Sequence, residues 1–218
     1  MTHHQGSLLL MTLPIPAMGE QAVFRKGPLE LLLENHHGGL CILTPHPQRP
    51  QRQYLGLPRT GSLELSVRAP EHKVRIMLRD RLTLAPGGRL HGYLTVPMPH
   101  RLLWRQPNGS GEPLLEVAPK ELQTSWLGEG PEGGYVHECE SSFHLDRHGV
   151  AANTMAIVPV LLLNHSDHTV SPEFLTLSIR DRDLREVDDQ IVIAPRRLRF
   201  GDEDQVDEEI RAIPRRSA

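Results

Sequence analysis

The chain has 218 residues, 38% of them hydrophobic, enough to bury a core and too apolar for wholesale disorder. A formal charge of -3 argues against a nucleic-acid binder held mainly by phosphate contacts, and two cysteines cannot build a disulfide framework. Aromatic residues make up only 4%, which disfavours a sugar-binding or base-stacking surface, since both use ring faces.

The N-terminal apolar stretch Leu8 to Ile15 has no preceding Lys or Arg and is interrupted by Thr12 and Pro14, so it does not read as a signal peptide. The longest later apolar run, Ala156 to Leu163, is far shorter than a membrane span needs. These features predict a soluble, cytoplasmic protein without a membrane span, with Cys41 and Cys139 as free thiols in a reducing compartment.

From there the chain shows period-two alternation broken by Gly, Pro and Asn, the signature of strands. Leu29, Leu31 and Leu33 alternate, and His36 to Gly39 turns the chain into Leu40 to Leu43. Leu63, Leu65 and Val67 alternate with Glu64, Ser66 and Arg68, and Val74, Ile76 and Leu78 alternate with Arg75 and Arg79. Leu82 and Leu84 lead to the turn Pro86-Gly87-Gly88, after which Leu90, Leu94 and Val96 form a strand stopped by Pro97 and Pro99. The loop Gln106 to Pro113 has the composition of a hairpin turn or a linker and separates halves of similar size. Further strands are predicted at Tyr135 to Leu145, Met155 to Leu163, Phe174 to Arg180, Gln190 to Ala194 and Arg197 to Phe200. Spacing of this kind is the sandwich pattern.

The expected fold is therefore all-β, antiparallel and sandwich-like. It is read as two packed lobes, 20–106 and 114–210, between poorly ordered termini 1–19 and 211–218, with a single extended sandwich as the alternative. The charge-segregated tail, with Arg196, Arg197 and Arg199 before Asp202 to Asp204 and Asp207 to Glu209, reads as a solvated terminal strand and a frayed end.

The 13 histidines invite a search for metal ligands. His137 and Cys139 are two apart on one predicted strand, so period two places both on one face, where they could hold zinc or copper with a third ligand such as His165 or His168. The simpler reading makes both inward-facing core residues, because Cys is commonly buried as a small hydrophobe and no His-x-His or Cys-x-x-Cys completes a set. A thiolate pair of Cys139 with His137 or His144 is disfavoured, because side chains on one strand run parallel and do not converge. Ser66, Ser125 and Ser178 lack a Gly-x-Ser-x-Gly elbow. The glycines at 128, 130, 133 and 134 lie between strands, so no helix N-terminus follows to receive a phosphate. Asn164-x-Ser166 matches a glycosylation acceptor but reads as a turn in which Asn and Ser cap backbone groups. All but three of the 24 Lys and Arg residues are Arg, and Arg75, Arg79 and Arg81 could line an anion pocket.

Trp126-Leu127-Gly128, a short turn and Gly134-Tyr135 leading into a strand carry a resemblance, together with Pro159-Val160, Asn164-x-Ser166, Phe174 to Ile179 and Asp204-Gln205. Their order and spacing over Pro28 to Ile210 resemble the domain of unknown function 432 family. The resemblance implies a soluble prokaryotic protein with no established activity, and it supplies no catalytic residues.

With no convergent nucleophile, base and oxyanion donor and no cofactor motif, the expectation is a non-enzymatic binding or interaction module for a protein or small-ligand partner. The alternative is a metal-binding protein or metal-dependent enzyme using His137 and Cys139.

Overall fold

The computed structural model describes residues 9–26, 29–37, 39–44, 51–56, 60–128, 133–147, 155–188, 190–201 and 206–210. The strands up to residue 78 are β1 (Leu10–Leu13), β2 (Gln21–Lys26), β3 (Leu29–His36), β4 (Gly39–Thr44), β5 (Gln51–Leu55), β6 (Ser62–Val67) and β7 (Lys73–Leu78). Next come β8 (Arg89–Pro97), β9 (His100–Arg105), β10 (Gly111–Val117), β11 (Gln123–Leu127) and β12 (Gly134–Ser141). The rest are β13 (Met155–Asn164), β14 (Phe174–Leu177), β15 (Leu184–Val187), β16 (Gln190–Ile193), β17 (Arg196–Phe200) and β18 (Val206–Ile210), with a 3-10 turn at Asp181–Asp183. The all-β, sandwich-like expectation is met.

The strands form two compact units, residues 1–68 with 98–120 and residues 69–97 with 121–218. This corrects the expected division: Gln106 to Pro113 separates no lobes, because Gln106 to Ser110 closes a hairpin in which β10 pairs antiparallel with β9 inside the first unit. The reading of residues 1–19 as poorly ordered is corrected in part, since β1 pairs with β6 from Leu10↔Ser66 to Leu13↔Leu63. Leu13, already beside a proline, is buried in that pairing. Residues 211–218 lie outside the described residues.

The first unit holds two antiparallel sheets, β2-β3-β4-β5 and β1-β6-β9-β10. The alternating leucines decide their inner faces: Leu29, Leu31 and Leu33 share one core with Ile42, Leu63, Leu65, Leu102 and Trp104. Strand β6 departs from simple alternation. Glu64 and Ser66 are also buried, because Arg105 Nε donates to Glu64 at 2.9 Å and Ser66 Oγ donates to the Arg101 carbonyl at 3.3 Å.

The sheets of the second unit are mixed. One has the order β11-β12-β7-β14, with β12 and β7 parallel. In the other, β13 pairs antiparallel with β8 along one edge, while parallel β16 and β17 share its other edge in succession. Seven of the ten residues of β13 are buried, in keeping with a strand flanked on both edges. The terminal acidic segment contributes β18, which pairs antiparallel with β17, whereas Asp202 to Asp204 lie outside the described residues.

Candidate functional site

Strand β12 carries both predicted ligands, and its two neighbours assign them different depths. Cys139 stands opposite Ile76 of parallel β7 and is 5% exposed. Burial, with Glu140 adding to it, pushes its thiol up to about 12, so the thiolate that would bind a metal is disfavoured. His137 lies nearer the surface, opposite Thr124, with Nδ1 3.1 Å from Thr124 Oγ1 and its ring 5.2 Å from that of His72. His165 and His168 are exposed beyond the end of β13, and His168 Nδ1 sits 3.3 Å from Asp167. Among the described residues no group of three or more His, Cys, Asp or Glu side chains is arranged to hold a metal ion.

What the topology does assemble is a cleft. Strand β11 pairs with β12 only as far as Gln123↔Glu138, yet β12 continues through Cys139 and Glu140 to Ser141. Past this shortfall in pairing opens a space of about 560 Å³ lined by Glu121, Gln123, Glu138 and Glu140, with Met77 and Met155 as apolar walls. Ser141 anchors one side, accepting from Thr95 N–H at 2.9 Å and donating to the Ser142 carbonyl at 3.0 Å.

Ion pairs organise the carboxylates. Arg79 reaches Glu140 Oε2 through Nη2 at 2.9 Å and Nε at 3.0 Å. Glu138 accepts from Ser125 Oγ at 2.7 Å and from Arg75 Nη1 at 3.3 Å, while the Arg75 guanidinium lies 3.8 Å from the Phe174 ring centroid. The expected anion pocket of Arg75, Arg79 and Arg81 is therefore corrected: the first two already face glutamates, and the space beside them carries three carboxylates, Glu121, Glu138 and Glu140.

On the opposite face of the same ribbon, rings line up. Trp126 is the cross-strand partner of Tyr135, with centroids 5.0 Å apart in an edge-to-face arrangement. Tyr135 continues to His72 at 5.6 Å, and His72 to His137. Trp126 is 48% and Tyr135 58% exposed. In the sequence Trp126 and Tyr135 stand out only as resemblance motifs and, for Tyr135, as the start of a strand, and Glu121 does not stand out at all. The available signal was Trp and Tyr at matching positions on strands flanking a Gly-rich turn. The turn itself, residues 129–132, lies outside the described residues.

Fold and site thus define an all-β protein whose second unit presents an edge ribbon, aromatic on one face and acidic on the other. The sequence matches the family described as "Protein of unknown function (DUF432)" over residues 15–216, and the chain belongs to that family. No curated protein and no solved structure matches the chain.

Proposed function

We propose that this protein is a non-enzymatic binding module whose recognition surface is the β11–β12 ribbon. The observation that carries this reading is the exposed Trp126–Tyr135 pair, which joins the edge strand β11 to its neighbour β12. An edge strand offers unpaired backbone donors and acceptors, and proteins usually guard such edges with charge, proline or a bulge. Strand β11, Gln-Thr-Ser-Trp-Leu, has no charged residue and no proline, and its register with β12 is unbroken. Large aromatic side chains beside such an edge are the anchors that binding surfaces favour. Two free thiols support a reducing, cytoplasmic setting, prokaryotic as the family resemblance implies.

The test uses wild-type protein and the Trp126→Ala/Tyr135→Ala variant as baits in lysate of the source organism, with crosslinks mapped by mass spectrometry. The expected result is a partner crosslinked to residues of β11 or β12 and lost with the variant. Capture of the same partners by both baits, or of none by either, overturns the reading.

A further inference from the structure

The ribbon's two faces differ in chemistry, and an added strand would meet both at once. Residues paired across β11 and β12 share a face. Thr124, Trp126, Tyr135 and His137 therefore lie on one face, and Gln123, Ser125 and Glu138 on the other. Glu140 continues the second face along β12, and Glu121 lines the cleft at its end. Three carboxylates and one guanidinium, Arg79, line that cleft. Arg75 approaches Glu138 from β7, on the side away from β11.

We infer that the edge of β11 that pairs with no other described strand docks an extended peptide segment of a partner protein in which apolar and basic residues alternate. This rests on the binding-module reading and names its partner. A strand laid along β11 gains backbone hydrogen bonds, and its side chains point alternately to the two faces. One set meets the Trp126–Tyr135 row, which takes apolar side chains. The other set reaches toward Glu138 and the cleft, where Lys or Arg meets Glu121 and Glu140 and the walls Met77 and Met155 accommodate its methylenes. Charge complementarity selects this occupant over nucleic acid or an anionic membrane, whose phosphates the carboxylates repel.

The probe is a twelve-residue peptide of alternating Lys and Val, titrated while Trp126 emission is followed. The other tryptophan, Trp104, is buried and contributes a constant background. Comparison probes are the Glu-Val alternation, a Lys-Val peptide of equal charge N-methylated at every backbone amide, which has no N–H to pair along an edge, and spermidine as a free amine. Support is saturable binding of the Lys-Val peptide alone, salt-sensitive, and weakened by about tenfold or more in Glu121→Gln/Glu140→Gln, as expected when a docked charge pair loses its anions. Gln123→Lys, at an exposed edge position opposite Glu138, is a second variant expected to abolish binding by setting a competing cation among the carboxylates. Circular dichroism of each variant confirms that it is folded.

Equal binding of the N-methylated peptide or of spermidine would reduce the site to bare cation attraction and overturn the inference. So would binding of the Glu-Val peptide, or no binding of any probe at millimolar concentration. Glu-Val binding that Trp126→Ala abolishes, followed by anisotropy of a dye-labelled peptide because that variant lacks the reporting tryptophan, would leave the binding module standing and remove only the basic partner.

Discussion

Arg196 and Asp183 form an ion pair inside the second unit: Arg196 Nη2 lies 2.9 Å from Asp183 Oδ2, and the arginine is 1% exposed. The same guanidinium donates to the carbonyls of Ala194 and Ser178, each at 3.0 Å. Asp183 Oδ2 also accepts from the Arg180 backbone N–H at 3.0 Å. The pair thus ties the 3-10 turn to the start of β17, just after Pro195 separates β16 from β17.

Removing one partner leaves an uncompensated buried charge. Arg196→Met is expected to cost about 3–5 kcal/mol, and Arg196→Met/Asp183→Leu to recover much of that loss. Urea denaturation of the three proteins measures both quantities. A single variant as stable as wild type would show that the pair does not brace the turn.

Cys139 makes stability depend on pH on the alkaline side. Its folded thiol titrates near 12, against an ordinary value of 9.0. Between these values the unfolded chain has lost a proton that the folded chain retains, so stability falls as pH rises. The contribution is complete below about pH 9 and gone by about pH 12. Cys139→Ala should flatten this part of the stability curve. At pH 8, 5,5′-dithiobis(2-nitrobenzoic acid) should label Cys139 only after unfolding.

Asn164 is a structural residue in the turn after β13. Its Nδ2 donates to the carbonyls of Leu84 at 2.9 Å and His168 at 2.7 Å, while Oδ1 accepts from Ser166 N–H at 3.0 Å and Ser166 Oγ at 2.6 Å. Asn164→Ala takes the acceptor from the buried Ser166 N–H and should cost about 1–3 kcal/mol. Because the amide is buried and engaged, protein passed through a glycosylating secretory host should keep Asn164 unmodified, as intact mass would show.

Gly92 sits in β8 where a Cβ would run into the Phe143 ring and the His144 carbonyl. Next to it, Tyr93 and His144 exchange backbone hydrogen bonds of 2.8 and 3.0 Å. Gly92→Ala must push this segment away and should destabilise by about 1–3 kcal/mol, read as a lowered thermal midpoint. Gly87→Ala tests the other cause of glycine use. Its Cβ would meet nothing within 4 Å, but φ is +69°, so any loss there is backbone strain alone.

Period-two alternation of leucine and valine identified the strands whose one face is buried, such as β3 and β7. It missed β1, β2, β5, β9, β10, β11 and β15. Several of these are sheet edges, and the described residues of β10 and β11 are largely exposed, so hydrophobic alternation leaves little mark on them. Pairing partners follow from chain reversal and core closure, which is why Gln106 to Pro113 read equally well as linker and hairpin. Glu121 could not be placed beside Glu138 and Glu140, because their proximity depends on where β11 stops pairing with β12.

The sequence by itself determined that this chain is all-β, that Leu31, Leu33, Val74, Ile76 and Cys139 face inward, and that Asn164 and Ser166 cap a turn. These are local matters of alternation and turn chemistry, written in adjacent residues. Only the tertiary structure decided the parallel pairing of β12 with β7, the burial of Arg196 against Asp183, and the meeting of a carboxylate-lined cleft with an aromatic edge. Each joins residues distant in the chain, and their contact depends on strand order and register, which local preferences leave open.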